Sequence, residues 1–212
     1  MLASRHAELC SALDQCKLEF TYHDPEMLML QELTFLHLHV PFEDISRYIG
    51  RGTEDDAQAA TSNVHRWFKS SQGRAATWHA SQIIRSTKLL SPGNLTDIYA
   101  IALFHAGCTL WVWGLMQKVQ PISPDMNGVK AVMDEDEVLE VMKFLRTGRG
   151  RPCLRGRAGE LVPLDDPATV MDLISDIVMS KSGQKPLPLT TEEVLRFMQG
   201  FSTITRQKFL TV

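Results

Sequence analysis

The chain holds few cysteines, and no two of Cys10, Cys16, Cys108 and Cys153 stand at the close spacing of a zinc knuckle. Neither a two-cysteine, two-histidine finger nor a six-cysteine binuclear cluster can be assembled from them. A secretory leader is missing as well. Met1 to Glu19 is amphipathic and charged and lacks an apolar h-region. These two absences predict free thiols in a reducing compartment, and hence an intracellular protein, cytoplasmic or nuclear. There is no excess of basic charge: 22 Lys and Arg face 25 Asp and Glu, for a net charge of -3. That balance argues against direct binding to nucleic acid. The sequence also shows no phosphate-cradling glycine loop, no nucleophile elbow and no HExxH motif. No cofactor and no metal site are expected, and His37 and His39, two residues apart, point in different directions on a helix.

What is present is apolar periodicity of the helical kind. With 212 residues, 44% hydrophobic and 22% charged, the chain can bury a sizeable core. The pattern predicts an all-α fold, a single irregular bundle of about eight helices over residues 1–212. Asp24-Pro25 starts one helix, which stops before Pro41, and a short one from Pro41 to Ile49 is closed by Gly50. Thr53 opens a third, ending near Ser70, and Gly73 separates it from a helix over Arg74 to Leu90. On that helix Arg74, Thr77, Ser81, Arg85 and Lys88 form a solvated face. Asn94 or Thr96 caps a long helix from about Leu95 to Val119. Its segment Ile98 to Met116 carries no charge and approaches the length of a bilayer span. The segment contains His105, Gly107, Thr109 and Gly114 and has no close basic flank, so the expectation is a buried central helix, not a membrane span. Gln120 to Gly128 reads as a loop, and Asp134 as the cap of a helix to about Arg146. Gly148 to Pro163, with Arg149, Arg151, Arg155 and Arg157, reads as a mobile, solvated connection. Helices from Asp166-Pro167 and from Thr190 or Thr191 complete the chain.

Polar residues on otherwise apolar faces single out a candidate site. His79, Gln82 and Ser86 form a stripe on one helix, and His105 and Thr109 lie one turn apart on the next. An antiparallel pairing of the two helices would bring these groups together. Trp78 and Trp111 are candidate walls. The ligand-binding set is therefore His79, Gln82, His105, Trp78, Trp111 and Thr109. Two readings stay open: a satisfied buried network, and polar groups that orient an apolar small molecule.

The segment Trp78-His79-Ala80-Ser81-Gln82-Ile83-Ile84-Arg85 resembles the Trp-His-Ala-Gly-Gln signature of the middle homology region of fungal zinc-finger and zinc-cluster transcription regulators, with Ser81 in place of the glycine. Phe104-His105-Ala106 with Leu110-Trp111-Val112-Trp113-Gly114-Leu115 resembles the signature that follows. Leu36 to Val40, Phe42-Glu43-Asp44 and Gly50 to Asp55 are similar to the upstream part, and Leu164 to Pro167 with Val170-Met171 resembles the tail more weakly. The strong part spans residues 29–116, and a weaker helical part covers 129–208. The resemblance implies an all-α fold and nuclear regulatory ancestry, with ligand sensing, a regulator partner or homo-oligomers as expected roles, here without zinc fingers. It assigns no catalytic residue. Alongside a regulatory domain that binds an apolar metabolite stands a second expectation. A cofactor-free cyclase or isomerase of secondary metabolism, for example one catalysing a [4+2] cycloaddition, needs only a shaped apolar site and one or two hydrogen bonds to a carbonyl.

Overall fold

In a computed structural model the chain is described over residues 5, 8–13, 15, 24–119, 129–183 and 186–209. The expected loop over Gln120 to Gly128 and Cys16 of the first amphipathic stretch lie outside these residues.

Local signals set most helix ends. In α1 (Pro25–His39) the Glu26 N–H donates to the Asp24 carboxylate at 3.1 Å, with proline in the first turn. Pro41 follows at once and precedes α2 (Phe42–Tyr48), which Gly50 closes at φ 103°. Thr53 opens α3 (Glu54–Lys69) with a capping box: its hydroxyl accepts from the Asp56 N–H at 3.2 Å, and the Asp56 carboxylate accepts from the Thr53 N–H at 2.9 Å. The Thr53 N–H and then its hydroxyl, both donating to that carboxylate, hold the Asp56 carboxyl below its ordinary range. Ser70 alone separates α3 from α4 (Ser71–Leu89), which starts three residues earlier than the pattern predicts. Gly73 is thus no separator. It sits in the first turn, where a Cβ would stand 2.4 Å from the Trp67 carbonyl, so glycine permits the tight corner. Thr96 accepts the first backbone bonds of α5 (Asp97–Val119), while Asn94 reaches back to Glu26. The rest of the chain adds α6 (Leu139–Thr147), α7 (Pro167–Lys181) and α8 (Leu189–Phe209).

The fold is mostly all-α, and α5 is its axis. It packs against α1, α4, α7 and α8, with α2 and α3 touching it more lightly. By length and composition α5 is apolar enough to cross a membrane, and 72% of its apolar window is buried inside the fold. One core cluster runs from Met29 through Leu103, Leu110 and Phe144 to Phe201.

Two expectations need correction. First, Gly148 to Pro163 is not an irregular connection. It supplies β2 (Arg151–Arg155) and β3 (Leu161–Pro163), and β2 also pairs in parallel with β1 (Lys130–Val132). Arg151 is ion-paired with Asp165 at 2.9 Å and Arg155 with Glu135. Two of these four arginines are therefore tethers within this layer. Second, the supposedly solvated face of α4 is covered. Thr77 and Ser81 are fully buried, and Arg74 Nε donates to the Leu145 carbonyl at 2.9 Å. The covering layer is α6 and the turn that follows β1. Asp134 lies in that turn and caps no helix. Its buried carboxylate accepts from Lys88 Nζ at 2.5 Å and from the Arg155 N–H at 2.9 Å.

Candidate functional site

The six candidate residues do not converge. His79 faces α1: its Nδ1–H donates to Glu32 Oε2 at 2.6 Å, and its ring is stacked between Phe35, at 4.9 Å, and His39, at 5.3 Å. Glu32 is a buried carboxylate, so this is a paired group inside the bundle. Gln82 faces the opposite way, its amide donating to the Met133 and Glu135 carbonyls at 2.8 and 3.0 Å. Both donors are thus spent on fastening the β1 turn to α4. Trp78 is a half-buried side chain packed against the core. Thr109 donates to the His105 carbonyl one turn back at 2.8 Å. Trp111 stacks on Phe201 at 4.2 Å and donates its indole N–H to the Thr205 hydroxyl at 2.8 Å.

Of the six, His105 lines an apolar cavity. Between α2, α5 and α8 lies an apolar groove of about 860 Å³, walled by Phe42, Ile45, Phe104, Cys108, Phe197 and Phe201. Three distant stretches build it. Phe104 and Cys108 are one turn apart on α5, as are Phe197 and Phe201 on α8, and α2 supplies the third side. The signal that reveals α8's part is that one-turn aromatic pair, Phe201 on the core stripe with Val194, Leu195 and Met198, and Phe197 beside it, off the stripe. Phe197 is 46% exposed, a large apolar side chain open to water at the groove's edge. A second cleft, of about 430 Å³ and bordered by His39, Asp44, Asn63 and Arg66, is polar.

His105 is joined to His37 of α1. His105 Nδ1 and His37 Nε2 are 3.0 Å apart, and the Phe42 ring packs on both imidazoles. A single N–H between two ring nitrogens requires one donor and one acceptor, so the contact fits two neutral rings. Burial first, then the neighbouring His37, lowers the His105 pKa to about 4, and burial lowers that of His37. His39, two residues along α1, meets His79 on the other side of the helix. At neutral pH the groove wall thus offers an uncharged imidazole able to give or take one hydrogen bond. Cys108 is no nucleophile there, because burial pushes its thiol up to about 12. Among the described residues no three His, Cys, Asp or Glu side chains form a metal-holding group.

The histidine pair predicts a pH dependence of stability. In the unfolded chain these rings take up protons near their ordinary value of about 6.5, whereas the folded rings resist protonation. The unfolded state therefore binds more protons on acidification, and stability should fall as pH drops from about 6.5 toward 4. Urea titrations across this range check the slope. His105→Gln should flatten it, and an unchanged slope would mean that other groups set it.

No family model, characterised protein or solved structure matches this chain.

Proposed function

We propose that the protein binds an apolar small molecule in the groove between α2, α5 and α8. The observation that carries this reading is the groove itself: its volume lies within the roughly 300–1,000 Å³ of small-molecule sites, and its walls are mainly aromatic and aliphatic with one uncharged imidazole. The signature resemblance favours a regulatory role, in which occupancy of the groove controls a partner or a larger regulator without direct contact to DNA. The slight acidic balance accords with that. A second reading, the cofactor-free cyclase, is favoured by His105. A neutral N–H in an apolar wall can polarise a substrate carbonyl without adding a charge, and a shaped groove can hold one folded conformer.

Binding of the neutral dye N-phenyl-1-naphthylamine tests the shared part of both readings. Fluorescence should rise on addition of the protein. Phe197→Asp should weaken the dye by about tenfold or more, since it removes an aromatic wall and adds a charge, while the melting temperature barely moves because the site is half open. His79→Ala should lower stability by roughly 1–3 kcal/mol by removing the hydrogen bond that His79 gives the buried Glu32 carboxylate, with affinity per folded molecule unchanged. If Phe197→Asp leaves the dye affinity intact, the groove is not the site.

A further inference from the structure

We infer that the ligand of the groove is an amphipathic monocarboxylate: an apolar body seated among Phe42, Phe104, Phe197 and Phe201, with its one carboxylate held by Arg51. This rests on the reading of the groove as a small-molecule site and adds the chemical class of what it takes.

The argument is one of charge at the groove. Its charged lining residues are Glu43, Arg47 and Arg51. Glu43 and Arg47, one turn apart on α2, are paired at 2.6 Å and neutralise each other. Arg51 has no carboxylate within ion-pair distance among the described residues, so one guanidinium remains over for an apolar cavity. The imidazoles add no second positive charge near neutral pH. One uncompensated cation matches one anionic group, and a planar guanidinium suits a carboxylate, to which it can donate two parallel hydrogen bonds.

The backbone holds Arg51 in place. It stands between Gly50 at φ 103° and Gly52 at φ 127°, conformations that side-chain-bearing residues rarely adopt. A Cβ at Gly52 would also meet the Asp56 carboxylate of the capping box at 2.8 Å. The Arg51 N–H donates to the Ser46 carbonyl at 2.9 Å, tying the turn back onto α2. This local geometry sets an arginine at the edge of a cavity whose interior is apolar, the arrangement an amphipathic acid requires.

Displacement of bound N-phenyl-1-naphthylamine from the full chain, near neutral pH and low salt, tests the inference with three ligands of one tail: dodecanoate, its methyl ester and dodecylamine. Dodecanoate should displace the dye at a concentration about tenfold below that of the ester, and the amine should be weakest. Arg51→Gln should bring dodecanoate to within about twofold of the ester and leave the ester and the melting temperature unchanged, because Arg51 is exposed. Arg66→Gln, in the polar cleft, should preserve the preference. An ester that competes as well as the acid, or an acid preference that survives Arg51→Gln, overturns the carboxylate assignment. So does displacement by an acidic amphipathic Leu/Glu peptide when dodecanoate fails. In each of these cases dye binding sensitive to Phe197→Asp would leave the groove standing as a site, so the two readings fail separately.

Discussion

Replacing Asp134 with alanine should cost about 3–5 kcal/mol, the range for breaking a buried charged pair. The carboxylate is almost wholly enclosed, with 1% of its side chain exposed, and it accepts from both Lys88 Nζ and the Arg155 N–H. Lys88 Nζ also donates to the Arg155 carbonyl at 2.5 Å. Three groups from α4, the β1 turn and β2 thus satisfy one another, and removal of Asp134 leaves the Arg155 N–H without its acceptor and the largely enclosed Lys88 ammonium without its counter-charge. Asp134→Asn keeps an acceptor for the Arg155 N–H and should lose less. Urea unfolding of the two variants measures the difference. A loss below about 1 kcal/mol for the alanine variant would show that water replaces the carboxylate and that the sheet is held by its apolar contacts.

Gly114→Ala should destabilise by about 2 kcal/mol or more, although alanine is the better helix former by about 1 kcal/mol. A Cβ at this position of α5 would stand 2.4 Å from the Leu164 carbonyl and 3.0 Å from the Pro167 ring. Neither can yield, because one is backbone and the other is the rigid start of α7. Gly107, two turns earlier, is the internal comparison. Its Cβ would crowd the Met198 thioether, at 2.6 Å, and meet Ile174 Cδ1 only at an ordinary 3.7 Å; methionine can move aside, so Gly107→Ala should stay within about 1 kcal/mol. For a chain of this size the two should differ in melting temperature by several degrees. Equal melts would mean that α7 slides to make room.

The helices were largely legible because their ends are written in local chemistry: Asp24 and Pro25, the Thr53–Asp56 box, Gly50. The small sheet was not. Its strands have three or five residues, too few for a period to show, and they are rich in arginine, proline and glycine neighbours that read as connection. The covered face of α4 was misread for a different reason. Thr77 and Ser81 look like surface residues, yet each hydroxyl donates to a carbonyl of its own helix at 2.7 Å, which lets small polar side chains go inside at little cost. Of the six candidate residues the groove is lined by one, His105. His79, Gln82 and His105 all occupy inward positions, but α4 is buried all round, so inward for His79 means toward α1 and inward for Gln82 means toward β1. The partner of His105 is 68 residues away on α1, a pairing no spacing along the chain encodes.

The groove has no existence within any one stretch of sequence. Its sides come from residues 42–51, 104–108 and 197–201, and the last of these lies on the final helix, which docks chiefly on α7 and α5. Detachment of α8 would erase the cavity while the contacts among α1, α4 and α5 persist. Under the proposed binding reading, occupancy and the docking of α8 would be one thermodynamic event: a ligand that fills the groove would weight the ensemble toward the chain with α8 in place, by an amount set by its concentration over its dissociation constant.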